Sequence, residues 1–336
     1  MIDAKALLTD LQRQVTALER DLLEVLDADF EKSQNWRFTY EHAVSRRRTG
    51  LSFDGWRRQQ VTQVASGWIL ACVFTRFCED NGLLKEAMLA GPGLRLVEAR
   101  ERQTLYFREF PHRSDLDYLQ SATSQLEKFD STREFVDWHN PLHVLSPSPD
   151  AATELLDFWR RVDPGVGSLV HDFTDPGLST RFLGDVYQNL SAQARKDYAL
   201  LQTPDFVEKF ILELTLDPAI DEFGLEEVRL IDPACGSGHF LLGAFRGLLK
   251  RWQKREPGTN VQLLVHRVLR QVNGVDINPS AVSIARFRLL VAALNACGIS
   301  RLADAPTWQI RVAVGDSLRF GVRHGQAELE GLTVEA

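Results

Sequence analysis

The sequence predicts an α/β protein in which an all-helical region, residues 1–170, precedes a region of strands alternating with helices, residues 171–336. Three observations carry this. Leu8, Leu11, Val15, Leu18, Leu22 and Val25 recur at spacings of three and four, the period of a helix from about Ala4 to Leu26. A second helical stripe runs through Phe53, Trp56, Val61, Val64, Trp68, Ile69, Cys72 and Phe77. Later, short apolar runs at Val228–Ile231, Gly274–Ile277 and Trp308–Val314 are separated by long helical-period segments. That alternation predicts a parallel sheet with ligands at the carboxyl ends of its strands.

The first seam suits packing on the helices that follow or pairing with another chain. Ser52 is placed to cap the second helix, and Asn81-Gly82 to stop it. A third helical stretch surrounds Leu119 to Phe135. Asn140-Pro141 and Ser146-Pro147-Ser148-Pro149-Asp150 read as loop, and a helix from Ala152 to Val162 ends at Asp163-Pro164-Gly165. Phe182–Leu190 and Ala192–Ala199 read as helices. Thr203 and Pro204 read as the N-cap and first residue of another, running to about Leu214. Helices are expected over Phe240–Trp252, Val261–Val272 and Ser280–Ala296, with a break at Pro257-Gly258.

Hydrophobic residues make up 44% of the chain and charged residues 25%, the balance of an ordinary globular protein. With 46 acids against 39 bases the net charge is −7, which argues against a general polyanion binder while leaving room for a local basic patch. Arg46-Arg47-Arg48 with Arg57-Arg58 is the densest early basic cluster and reads as a solvated helix face. No apolar run approaches the ~18–20 residues of a membrane helix. With no basic-then-apolar signal pattern at the N-terminus, a cytoplasmic protein without a membrane partner is expected. Cys72, Cys78, Cys235 and Cys297 form no Cys-x-x-Cys pair, so neither a metal-ligand set nor a disulfide framework is read.

Chemistry concentrates in Leu230-Ile231-Asp232-Pro233-Ala234-Cys235-Gly236-Ser237-Gly238-His239-Phe240-Leu241. An apolar strand meets a carboxylate, then a tight loop with two glycines, then the apolar start of a helix. Helix N-termini and nested amides normally receive an anion, so an acid at that point suits a ligand with a cationic group instead. Gly236 and Gly238 are expected to let backbone approach that ligand without a Cβ. Cys235 reads as a small residue beside ligand rather than a nucleophile, and His239 is given no chemical role. The dinucleotide fingerprint fails: its third glycine falls on Leu241, and the next strand-end acid, Asp276, comes too late. Asp276 and Asp316 end the second and third strands. A carboxylate at the first can take hydrogen bonds from ribose hydroxyls, and one at the second can accept from an adenine amino group.

Asp232-Pro233-Ala234-Cys235-Gly236-Ser237-Gly238-His239-Phe240-Leu241 resembles motif I of the DNA adenine-N6 methyltransferases, which bind S-adenosylmethionine with this loop. Tyr198-Ala199-Leu200-Leu201-Gln202-Thr203-Pro204-Asp205-Phe206-Val207 resembles their motif X, Gly274–Pro279 motif II, and Gly315-Asp316-Ser317-Leu318 motif III. The resemblance implies residues 171–336 as the first half of a Rossmann-like S-adenosylmethionine-dependent methyltransferase domain. It implies Thr203 and Pro204 closing over the methionine end of the cofactor, and Asp232, Pro233, Ala234, Gly236 and Gly238 forming the loop near the methionine. It further implies Asp276 on the ribose, Ile277 against adenine, and Asp316 with Ser317 at the adenine N6. Ser52–Trp56, Cys78–Leu83 and Arg181–Gln188 resemble the large methyltransferases of type 2 BREX phage defence; restriction-modification enzymes are the nearest alternative. Double-stranded DNA and BREX defence proteins follow as implied partners.

One departure stands out. The family's catalytic motif IV, Asn or Asp-Pro-Pro-Tyr or Phe, is absent: Asn278-Pro279 is followed by Ser280 and Asn140-Pro141 by Leu142. In the family that motif holds a base flipped from the duplex. No catalytic residue is therefore assigned, and the chain reads as the N-terminal portion of a longer enzyme, inactive alone. The alternative is a non-catalytic cofactor-binding or interaction module that docks to defence partners.

Overall fold

The computed structural model describes residues 2–133, 140–190 and 203–318. The helix read over Ala192–Ala199, residues Tyr198–Gln202 of the motif X segment, and the end of the stretch read to Phe135 lie outside the described residues. The chain divides into two compact units, residues 1–202 with 290–308, and residues 203–289 with 309–336. The boundary at residue 170 read from composition falls inside the first.

In the first unit, α1 (Ala4–Ala28) is capped by Asp3, whose carboxylate accepts from the Lys5 and Ala6 amides. Its buried stripe is Leu7, Leu11, Val15, Leu18, Leu22 and Leu26. The seam read from sequence is right in its middle and one residue off at each end, where Leu7 and Leu26 replace Leu8 and Val25. A helix of 3.6 residues per turn drifts from a strict heptad, and the drift shows at the ends. The stripe packs within the chain, against α3 (Phe53–Asp80), α7 (Pro149–Trp159) and α8 (Phe182–Asn189). Between them, α2 (Phe30–Ser45) buries only Trp36.

Ser52 caps α3 through its hydroxyl, which accepts from the Gly55 amide, and Gly82 at φ 73° follows its end, both as the sequence implies. From Val61 to Asp80 every residue of α3 is buried. Contrary to the sequence expectation, α3 and α12 (Pro279–Cys297) are long and apolar enough to cross a membrane. The most apolar window of α3 is 100% buried inside the protein and that of α12 61%, so the apolarity serves packing. Two charged side chains at the buried end of α3 are well partnered. Arg76 donates to both Asp80 carboxylate oxygens at 3.1 and 2.8 Å and to the Trp159 and His171 carbonyls at 2.9 Å. Glu79 accepts the amides of Met88, Leu89 and Ala90 at 2.6, 3.0 and 3.1 Å, fastening the loop after the helix.

α4 (Leu94–Glu109), α5 (Asp115–Thr123) and the short α6 (Asp130–Arg133) follow. The stretch read as one helix from Leu119 is broken by a 3-10 turn at Ser124–Lys128. α7 starts earlier than read because Ser148 caps it and Pro149 takes its first position, a place where the missing proline N–H costs nothing.

The second unit opens with α9 (Asp205–Glu227). Thr203 is not its cap: Pro204 occupies that position at φ −60°, ψ 145°, and its carbonyl receives the Val207 and Glu208 amides. The ring fixes φ, and an extended ψ makes Pro204 the entry to the helix rather than its first turn. Nor does α9 stop near Leu214; it runs through Pro218 and kinks at Gly224 (φ 80°, ψ 155°). Then come β1 (Leu230–Asp232), α10 (His239–Arg255), α11 (Val261–Gln271), β2 (Val272–Asp276), α12 and β3 (Val312–Val314). The three strands form a parallel sheet in the order β1-β2-β3, with Asp232 opposite Gly274 and Asp276 opposite Val314. Helices connect each pair, as parallel neighbours require. α10 buries Leu241, Leu242, Phe245, Leu248 and Trp252, and the Trp252 indole donates to the buried Gln271 side chain at 2.9 Å.

Candidate functional site

The sheet register sets Asp232, Asp276 and Asp316 at the carboxyl ends of three adjacent strands. The loop after β1 is held from within. Asp232 accepts the Ala234 amide at 3.1 Å, the Cys235 amide donates to the Val275 carbonyl at 3.0 Å, and the Gly238 amide donates to Cys235 at 2.8 Å. Gly236, at φ 53°, donates its amide to the Asp276 carboxylate at 2.8 Å. Asp276 also accepts the Asn278 amide at 2.8 Å. Gly238 sits at φ 79°, and a Cβ there would lie 2.9 Å from the Cβ of Ala285 on α12. Helix packing and a left-handed backbone therefore both require glycine here.

Ser317 donates its hydroxyl to the Pro233 carbonyl at 2.8 Å, and the Gly315 amide donates to the Asp276 carbonyl at 2.9 Å, so the loops after β1 and β3 are tied across β2. Asp316 accepts the Leu318 amide at 3.0 Å. Ile277 is 58% exposed beside them, an apolar surface at the strand tips with no core role. Cys235 is buried, with its Sγ packed on Gly274, and burial pushes the thiol well above its ordinary pKa. A thiolate nucleophile there is disfavoured. Asn278-Pro279 has a structural duty: the Asn278 side chain accepts the Ser280 amide at 3.0 Å at the start of α12.

Burial raises the pKa of Asp232; the Ala234 amide opposes this, and the neighbouring Asp276 carboxylate adds to it. Two acids facing one another at the tips of β1 and β2 favour a ligand that brings positive charge and hydroxyl donors. Four loop amides are already used on carbonyls and carboxylates, so the phosphate-cradling mode of a glycine loop is poorly served here. The donor set fits a cationic nucleoside better than a pyrophosphate. Thr203 is partly buried and Pro204 exposed at the entry to α9 in the same unit.

A cluster passed over by sequence reasoning lies at the start of α9 and α10. His239 Nε2 stands 3.3 Å from an Asp205 oxygen and 3.2 Å from a Glu208 oxygen. Asp205 and Glu208 are three apart on one helical turn, a spacing that sequence displays, while His239 is brought to them only by the fold.

Residues 222–302 match the family model for the MmeI DNA-methyltransferase domain. The chain is 48% identical over 329 residues to adenine-specific methyltransferase PglX of Streptomyces coelicolor, covering 95% of this chain and 27% of that protein. It is 33% identical over 119 residues to a putative type II restriction enzyme and methyltransferase of Methanocaldococcus jannaschii, covering 33% of this chain and 10% of that one. A cryo-EM structure of a DrdV–DNA complex aligns over 94% of this chain and 26% of its own at 14% identity, with a TM-score of 0.44 too low to carry a fold argument. The chain thus spans about a quarter of the length of the first of these relatives and a tenth of the second. Its likeness to adenine-specific methyltransferase PglX runs through nearly all its residues, and a DNA-methyltransferase domain match covers the glycine loop and the second strand-end acid.

Proposed function

We propose that this chain is the N-terminal and cofactor-binding part of an S-adenosylmethionine-dependent DNA adenine-N6 methyltransferase of the phage-defence (BREX) or restriction-modification type. In this reading residues 171–336 form the first half of a Rossmann-like domain. The observation that carries it is the pair Asp232 and Asp276 at adjacent strand tips, with the loop amides turned inward, inside the segment matched to a DNA-methyltransferase model. Asp232 faces the methionine ammonium and Asp276 the ribose hydroxyls. Ile277 packs on the adenine ring, while Asp316, held through Ser317 on Pro233, accepts from the adenine N6. Thr203 and Pro204 border the methionine end. S-adenosylmethionine, when bound, supplies a methyl group on a sulfonium, open to in-line attack by the amino nitrogen of a DNA adenine. What these residues contribute is position and orientation, the principal requirement of such a displacement.

Motif IV is absent from this sequence, so the 336-residue polypeptide is proposed to bind cofactor without methylating DNA. Calorimetry of the purified chain with S-adenosylhomocysteine, NAD and ATP tests the reading. Saturable binding of the first alone is expected. Preference for NAD or ATP, or transfer of labelled methyl groups to duplex DNA by this polypeptide, would refute the corresponding half of it.

A further inference from the structure

Asp205 and Glu208 project from the first turn of α9 toward His239, the first residue of α10. Their ligand atoms and the His239 ring nitrogen all lie within 4.8 Å of one another. The two contacts to His239 Nε2, 3.2 and 3.3 Å, are close to the edge of a metal tetrahedron. At metal–ligand distances of about 2.0–2.1 Å, neighbouring ligand atoms stand about 3.3 Å apart. One imidazole nitrogen facing two carboxylate oxygens at such separations is a donor set for one cation.

The seat for this cluster is built into α10. Gly243 lies one turn beyond His239 on the same face, and a Cβ there would overlap the Glu208 carboxylate and press on Leu212. Only glycine leaves room for Glu208 to reach back along α10 to His239. The Glu208 and His239 side chains are 14% and 16% exposed, so the carboxylate and imidazole are largely withdrawn from water. The Asp205 side chain, 60% exposed, leaves the cluster open on one side. A shared cation would draw the carboxylate pair and the imidazole onto one point in this half-buried seat.

We propose that Asp205, Glu208 and His239 form a three-ligand site for a divalent transition-metal ion, zinc foremost. A mixed imidazole–carboxylate set suits zinc better than the hard, all-oxygen cages of magnesium or calcium. Three protein ligands leave a fourth position for solvent. The ion would clasp the first turn of α9 to the residue that follows the glycine loop. The helix that begins just after Thr203 and Pro204 is thereby fixed to Gly238. The inference is independent of the nature of the nucleoside ligand, because metal binding is read without it.

The test is calorimetric titration of chelator-stripped full chain with zinc chloride, paired with thermal unfolding in zinc and in chelator. Wild type is expected to take up about one ion per chain and to gain thermal stability by mass action. His239→Ala, Glu208→Gln and the exposed, structurally mild Asp205→Asn are each expected to weaken zinc binding by about 10-fold or more, because the first removes a ligand atom and the other two replace an anionic ligand by a weakly coordinating neutral amide. All four cysteines remain in every variant. Zinc uptake unchanged in His239→Ala and Asp205→Asn would therefore assign the ion to other side chains, thiols included, and overturn the site. Absence of saturable zinc binding by folded wild type would overturn it equally, whatever the outcome with S-adenosylhomocysteine.

Discussion

The Gly236 amide donates to the Asp276 carboxylate at 2.8 Å, so the glycine loop after the first strand is fastened by the acid that ends the second. Asp276 holds both Gly236 and Asn278 by their amides. One side chain thus shapes the loop after β1 and the turn that follows β2.

Asp276→Ala is accordingly expected to orphan two amides, at about 1–3 kcal/mol for each one left unpaired. S-adenosylhomocysteine affinity should fall by about 10-fold or more, with a lower unfolding temperature of the second unit. Calorimetry and a thermal melt on the same preparation check it. Unchanged affinity would separate Asp276 from the ribose.

Gly238→Ala tests why that glycine is needed. The residue lies at φ 79°, and the new Cβ would meet Ala285 at 2.9 Å. The left-handed backbone costs about 1–2 kcal/mol for a side chain, and overpacking about 1–3 kcal/mol more. Ala285→Gly in the same chain should recover the second contribution and not the first. A double-mutant cycle in urea reads the difference; full rescue would mean the backbone strain is negligible.

How much of this was legible beforehand depends on whether the cause was local. Ser52 and Asn81-Gly82 carry their reasons within a few residues, and the structure has them as read. Gly238 was visible as a special glycine, but its packing on Ala285 was not, since Ala285 reaches it only through the fold. Thr203 and Pro204 carry the letters of a cap, yet the helix starts one residue later, on proline geometry alone. α2 escaped because a helix burying only Trp36 has no stripe to see. The Asp205–Glu208–His239 cluster escaped because its imidazole comes from a distant element.

In the first unit, the Arg76–Asp80 pair is wholly buried; Arg76 also donates to the Trp159 and His171 carbonyls, and Asp80 accepts the Phe173 amide. Arg76→Met alone is expected to cost about 3–5 kcal/mol, because it leaves the Asp80 carboxylate uncompensated. Arg76→Met with Asp80→Leu should cost less than the single change. Chemical denaturation of the three proteins checks the order. A double variant worse than the single would show that the carbonyl contacts to Trp159 and His171 dominate.

Glu79 gives the first unit a pH dependence whose sign follows from burial. Desolvation raises its pKa from 4.5 to about 7, against the opposing amides of Met88, Ala90 and Leu89 and the charge of Arg76. A group that titrates higher when folded binds more protons in the native state than in the unfolded chain across the interval between the two values. Its contribution is therefore fully present below about pH 4.5 and is lost as pH rises through about 7. The loss is on the order of 3 kcal/mol for a shift of this size. Glu79→Gln removes the titration while keeping an oxygen for one or two of the three amides. The variant should be less stable than wild type at pH 5, and its stability should vary less between pH 5 and 7. Urea unfolding at pH 5, 6 and 7 makes the comparison. A wild-type stability that climbs over that range as steeply as the variant's would show that the three amides hold Glu79 ionised throughout.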